Sequence, residues 1–151
     1  MAKALVVFAT RKGETETIAG LIAEGLRFSG IEVEAVNANT IKSEKDLMGY
    51  DAYLFGSATY HGDMMQSMKT LLFMAENAEL SGKVGGAFGA FGWSGEAPDR
   101  IYDTMKNIFG MDMVGDPLRL KASTLGGGMK MAQDYGREIA AKLQEQAGRE
   151  I

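Results

Sequence analysis

Residues 4–15 read ALVVFATRKGET, and this stretch decides the fold. Ala4 to Phe8 is a continuous apolar run of strand length, the pattern of a parallel strand buried on both faces, so it is expected at the centre of a sheet. From Glu14 onward Ile18, Leu21, Ile22 and Gly25 recur at the i, i+3, i+4, i+7 spacing of an amphipathic helix, which Gly30 closes. The turn between strand and helix is therefore a place where successive backbone N–H groups converge. The helix dipole favours an anion there, and Gly13 permits close backbone approach. Thr10 and Thr15 add hydroxyls, although Thr15 serves equally well as a helix cap. Arg11 and Lys12 either neutralise a phosphate dianion or are solvated loop charges. The spacing matches neither a P-loop nor the G-x-G-x-x-G of dinucleotide sites.

The same strand-then-helix unit repeats outward from this segment. A strand is expected at Glu32–Val36, a polar segment with one short helix at Asn37–Gly49, and a second fully apolar strand at Ala52–Gly56. Met64, Met65, Met68, Leu71, Leu72 and Ala75 mark a helix. A Gly-rich strand over 83–92 follows, then a helix marked by Ile101, Met105 and Ile108. Leu118–Lys121 is a final short strand, and Ala132, Tyr135, Ile139 and Leu143 line a closing helix. Five such units imply a parallel sheet with helices on both faces, because each crossover packs back on the sheet with one hand. In such sheets ligands bind outside the carboxyl ends of the strands. That directs attention to the loops after Phe8, Gly56 and Gly89. The second loop presents Tyr60 as a flat face, and the third carries the only tryptophan, Trp93, with Gly92 and Gly95 beside it. Two aromatic residues on adjacent loops are placed to sandwich a planar ligand.

With 151 residues the chain is expected to form one domain over 1–151 with a single sizeable core. It contains no cysteine, which excludes disulfides, thiolate chemistry and cysteine-ligated clusters, so redox work needs a bound cofactor. A net charge of −4 argues against nucleic acid and favours a basic partner. The N-terminus lacks a signal-peptide build and no apolar stretch reaches the roughly 18 residues of a spanning helix, so no membrane association and a cytoplasmic location are expected. Of the eleven methionines, Met65, Met68 and Met105 fall at core-facing positions, leaving Met64, Met111, Met113 and Met129 for the surface.

The first loop resembles that of the flavodoxin family, whose phosphate loop reads Thr/Ser-x-Thr-Gly-x-Thr after the first strand; Thr10, Gly13 and Thr15 match in type and spacing, while Lys12 and Glu14 depart from it. Gly56-Ser57-Ala58-Thr59-Tyr60 and Phe91-Gly92-Trp93-Ser94-Gly95 resemble segments of the flavodoxin-like domain of flavodiiron proteins, with Ala58 where Pro is usual. The resemblance implies a doubly wound, five-stranded parallel sheet of order 2-1-3-4-5 and a bound FMN. It implies a site made of Thr10, Arg11, Lys12, Gly13, Glu14 and Thr15, then Ser57, Ala58, Thr59, Tyr60, His61 and Gly62, then Ala90, Phe91, Gly92, Trp93 and Gly95. With one histidine, and no length for a metallo-β-lactamase-like di-iron domain, oxygen or nitric oxide reduction by this chain alone is not expected.

The resemblance also implies a backbone carbonyl near Tyr60 that turns toward N5 of the reduced flavin. The His61–Gly62 peptide is the candidate, since Gly62 tolerates the positive φ that such a flip requires. His61 itself reads equally as an exposed loop residue. Asp63, Glu96 and Asp99 are the carboxylates nearest the site in sequence, either destabilising the anionic reduced flavin or forming a solvated rim. The expected function is a monomeric, low-potential one-electron carrier between redox proteins, not an enzyme. The alternative is an FMN-dependent NAD(P)H quinone or nitro reductase. A receiver domain of similar topology is disfavoured, because Phe8, Ala9 and Gly56 stand where its acidic cluster is needed.

Overall fold

Strand β1 (Lys3–Ala9) is buried from Ala4 to Ala9 and paired in parallel on both edges, with β2 (Glu32–Asn37) on one side and β3 (Ala52–Ser57) on the other. Its alternation of side chains divides the core. Ala4, Val6 and Phe8 face one layer with Ile18, Ile22 and Tyr135, while Leu5, Val7 and Ala9 face the other with Met68, Leu71 and Ile101. Both faces are apolar, which is why the run shows no polar alternation. The computed structural model describes residues 2–91, 95–121 and 127–149.

The remaining elements are α1 (Glu14–Phe28), a two-stranded hairpin of β4 (Thr59–Tyr60) and β5 (Asp63–Met64), α2 (Gln66–Ala75), β6 (Val84–Ala90), α3 (Glu96–Asn107), β7 (Asp112–Met113), β8 (Leu118–Leu120) and α4 (Gly128–Arg149). The sheet runs β2-β1-β3-β6, and β7 and β8 share the next position, pairing with opposite ends of β6. This is the expected 2-1-3-4-5 order with its last strand split. Gly115, at φ +59, and Pro117, which has no N–H, interrupt that strand between its two parts.

Other boundaries differ from expectation. The polar segment after β2 holds two 3₁₀ turns, Ala38–Thr40 and Glu44–Leu47, in place of one short helix. Met64 belongs to the hairpin and Met65 precedes α2, so that helix begins two residues later than its apolar pattern suggests. Ile108 lies just past α3 and is exposed, because the spacing that buries Ile101 and Met105 has ended with the helix. Met64 and Met111 are buried in the core, whereas Met48 and Met131 are exposed with Met129.

Helices α1 and α4 pack backbone to backbone. A Cβ on Gly25 would lie 2.0 Å from the Gln133 carbonyl oxygen, and one on Gly136 would lie 2.2 Å from that of Ile22. Tyr135, one residue before Gly136, reaches through to the sheet. Its hydroxyl accepts from the Ala87 N–H at 3.0 Å and donates to the Ala87 carbonyl at 3.2 Å. Burial pushes this phenol far above its ordinary range. In the hairpin, Tyr60 pairs with Asp63, and the two residues between them, His61 at φ +50 and Gly62 at φ +74, are both left-handed. That is the signature of a type I′ turn, whose twist matches the flanking strands.

These contacts separate glycines that look alike in sequence. Gly20 sits inside α1, and a Cβ added there would have nothing within 4 Å, so Gly20→Ala should stabilise the protein by about 0.5–1 kcal/mol through helix propensity. Gly136→Ala should instead destabilise it by about 1–3 kcal/mol, because the added methyl forces α1 and α4 apart. Urea midpoints of the two variants should move in opposite directions; a Gly136→Ala midpoint that does not fall would refute the close helix approach. For the hairpin, Gly62→Ala should lower stability by about 1 kcal/mol through left-handed strain, while His61→Asn, a residue favoured in type I′ turns, should not lower it.

Candidate functional site

The carboxyl end of β1 delivers the chain to Thr10, whose Oγ1 accepts the Gly13 N–H at 2.9 Å. Gly13, at φ +89, is the N-cap of α1, and its carbonyl accepts both the N–H and the hydroxyl of Thr17, each at 3.0 Å. The turn is thus closed by Thr10 and Gly13, and Thr15 is not the cap. Thr15 lies two residues inside the helix, fully buried, with its Oγ1 lacking a hydrogen-bond partner among the described residues. A buried hydroxyl left unpaired costs roughly 1–3 kcal/mol. It lies at the wall of a cavity and beside the first-turn N–H groups, which have no acceptor within the helix. The donors there suit an anion.

That cavity, about 630 Å³, opens at the carboxyl ends of the strands, between the loops after β1, β3 and β6. It brings together Thr10, Arg11, Lys12, Glu14, Thr15, Ala58, Thr59, Tyr60, His61, Gly62, Ala90 and Phe91, twelve of the residues expected from sequence. Gly13 shapes the wall through its turn without lining it. Gly95 packs instead near Arg119 and Phe91, at 3.3 and 3.5 Å from its Cβ position. Gly92 and Trp93 lie outside the described residues. A smaller cavity of about 330 Å³, bordered by Lys3, Glu32 and Tyr50, lies at the opposite end of the sheet. There Tyr50 donates to Glu34, and burial and that carboxylate push its phenol up to about 12.

The second loop is tied down at three points. Ser57 is fully buried, and its Oγ accepts the Met65 N–H and donates to the Ala58 carbonyl, both at 2.9 Å. It holds the base of the hairpin and does not line the cavity. The Ala58 N–H donates to the Ala9 carbonyl at 3.1 Å, joining this loop to the first. The Ala97 N–H donates to Thr59 Oγ1 at 3.1 Å, joining it to the start of α3. Tyr60 stands half exposed at the mouth. The Arg11 guanidinium lies 4.4 Å from its ring centroid, and the His61 ring meets it edge-on at 4.3 Å.

The structure changes the reading of the turn and of the charges. His61 and Gly62 are already left-handed, so a side chain at position 62 is strained in this conformation too. The penalty of Gly62→Ala therefore falls on this state as well and cannot be assigned to a reduced state alone. Asp63 pairs with Lys69 at 2.6 Å and Arg100 at 3.9 Å, and the Lys69 hydrogen bond leads in holding its carboxyl below the usual carboxylate range. Arg119 takes both oxygens of Asp99, at 2.8 and 3.0 Å. These two carboxylates are compensated. The cavity itself is lined by three cations, Arg11, Lys12 and Lys121, against one carboxylate, Glu14. Lys121 is a lining residue that the sequence patterns do not single out, although it follows the last short strand and so occupies the end of the sheet where ligands bind.

Comparison with known proteins agrees with this geometry. A family model described as flavodoxin matches residues 6–136. A diflavin flavoprotein A of Synechocystis sp. is 32% identical over 143 residues, covering 93% of this chain and 24% of that protein. The rubredoxin-oxygen oxidoreductase of Megalodesulfovibrio gigas is 29% identical over 150 residues, covering 93% of this chain and 37% of that one. This chain thus spans between about a quarter and just over a third of the length of these curated relatives. Among solved structures, a flavodoxin from the domain Archaea superposes with a TM-score of 0.88 at 29% identity, covering 94% of this chain and 99% of that chain. The flavodiiron core of Flv1 from Synechocystis sp. gives 0.86 at 27% identity, covering 96% of this chain and 36% of that chain. With the strand order, the cradle at α1 and a family match over most of its length, the chain belongs to the flavodoxin family, whose members bind FMN.

Proposed function

We propose that this chain binds one FMN in the large cavity and works as a monomeric, cytoplasmic, low-potential carrier of single electrons between partner redox proteins. The observation that carries the reading is the orphaned Thr15 hydroxyl, buried at the N-terminus of α1 and facing the cavity. A phosphate oxygen is an acceptor for that donor, for the Thr10 hydroxyl and for the first-turn N–H groups. The ring end of the cavity is supplied by Tyr60 and by the segment containing Ala90 and Phe91. FMN, when bound, supplies the ability to hold and release electrons. The chain's own residues bind the phosphate, orient the ring and limit water around it.

A carrier reading suits a site placed at the open ends of the strands. Tyr60 remains half exposed, so a partner can approach the ring edge directly. Recording visible spectra during stepwise chemical reduction tests the reading. One FMN per chain, reduced in two separable one-electron steps and not turned over by NAD(P)H alone, is the expected result. Rapid reduction by NAD(P)H alone would favour a reductase.

The cradle makes a sharper prediction at Thr15. Valine keeps the branched shape but removes the hydroxyl. Thr15→Val should weaken FMN binding by about ten- to a hundredfold, since a hydrogen bond to a charged acceptor is worth roughly 1.5–3 kcal/mol. Riboflavin, which has no phosphate, should bind both forms alike. The flavin-free variant should be more stable than the parent, because an unpaired buried hydroxyl has been removed. Isothermal titration with both flavins, together with urea denaturation, checks these three signs; equal losses for FMN and riboflavin would take the phosphate away from Thr15.

A further inference from the structure

Arg11 starts in the cradle loop, but its guanidinium ends on the aromatic ring of the hairpin, 4.4 Å from the Tyr60 centroid. A planar cation at that distance from a ring face is held by the ring quadrupole. None of the ion pairs among the described residues includes Arg11. Asp63, which pairs with Tyr60 across the hairpin, is engaged by Lys69 and Arg100, and Asp99 by Arg119. A positive charge with no ion-pair partner among the described residues is therefore placed on the Tyr60 side of the cavity, which Glu14 also lines.

We infer that Arg11 serves the ring end of the flavin site, not its phosphate end, and that its charge favours the fully reduced, anionic flavin over the states before it. The inference rests on the FMN reading of this cavity. With FMN held here, one electron from a partner and one solvent proton at N5 would leave the ring neutral, so a nearby cation would have little effect on that step. A second electron from a partner, with no proton added at N1, would leave the ring with a negative charge. A guanidinium beside Tyr60 would attract that charge, and its contact with the ring face keeps it in place. Arg11 thus limits how far the aromatic, partly desolvated site depresses the second potential.

The test compares the FMN-loaded parent with Arg11→Gln and Arg11→Lys, using dithionite as electron donor and mediators to read both midpoints. Arg11 is exposed, and circular dichroism verifies that the fold is unchanged. In Arg11→Gln the binding of fully reduced flavin should weaken about tenfold relative to half-reduced flavin, which lowers the second midpoint by about 59 mV. The first midpoint should stay in place, as should the preference for FMN over riboflavin. Arg11→Lys, which keeps the charge, should lie nearer the parent in its second midpoint. A second midpoint in Arg11→Gln equal to the parent's overturns the inference. So does an equal shift of both midpoints, which would report general loosening, or a lost preference for FMN, which would put Arg11 on the phosphate. A parent that binds no FMN is a different failure, since it removes the cofactor reading itself before any variant is compared.

Discussion

The close approach of α1 and α4 is the constraint on which the site depends. A helix can point its N-terminus at a ligand only if something fixes its position and tilt. Here the carbonyls of Gln133 and Ile22 occupy the space that side chains on Gly25 and Gly136 would need. The facing layer of Ile18, Ile22, Tyr135 and Ile139 buries this contact against the sheet, and the hydroxyl of Tyr135 bonds to both backbone groups of Ala87 in β6. Helix α1 is therefore referenced to the sheet directly through β1 and indirectly through α4. Its first turn meets the carboxyl end of β1, and Thr15 arrives buried at the cavity wall. A hydroxyl can be kept unpaired there because the surrounding packing is strong enough to bear the cost.

How much of this is legible in the sequence follows from the range of each signal. The run from Ala4 to Phe8 and the spacing of Ile18, Leu21 and Ile22 are local patterns with one favourable burial, and both have the structure they imply. Strands β4 and β5 have two residues each, too few to show a period, and the signal that remains is His61-Gly62 between them. The last strand is legible only in its second half, because Asp112–Met113 pairs with β6 without any apolar run of its own. Site residues are legible where they lie in loops following readable strands. Lys121 escapes because it follows a strand of three residues. Ser57 belongs visibly to its loop, but whether it faces ligand or backbone depends on Met65, eight residues away.

Charge is the least legible property, because composition gives signs and not neighbours. The whole chain is acidic, at −4, yet the charged residues that line the cavity are mainly cations. Asp63 is near enough in sequence to act on a bound ring, but Lys69 reaches it from one turn into α2. With its folded pKa below the unfolded value, Asp63 contributes stability above the ordinary carboxylate range and loses it as pH falls through the lowered folded value. At neutral pH it is a paired structural group holding the hairpin to α2 and α3. Net charge therefore does not describe the cavity, where three of the four charged lining residues are cations.

The three loops divide the work of binding in a way that links fold stability to the cofactor. On the proposed reading the phosphate end is the turn that Thr10, Gly13 and Thr17 close with hydrogen bonds of 2.9 and 3.0 Å. The ring end is built from a hairpin fixed at its base by Ser57 and Thr59 but exposed at its tip. Preorganised donors reduce the ordering that a ligand must impose, so the phosphate end is suited to supply affinity. The exposed tip, with Tyr60 between Arg11 and His61, can respond to the charge of what it covers without disturbing the cradle. A ligand that satisfies Thr15 binds only the folded chain, and by mass action it adds to stability as its concentration exceeds the dissociation constant. On the proposed reading, the same unpaired hydroxyl that weakens the flavin-free protein couples its folding to the presence of the cofactor.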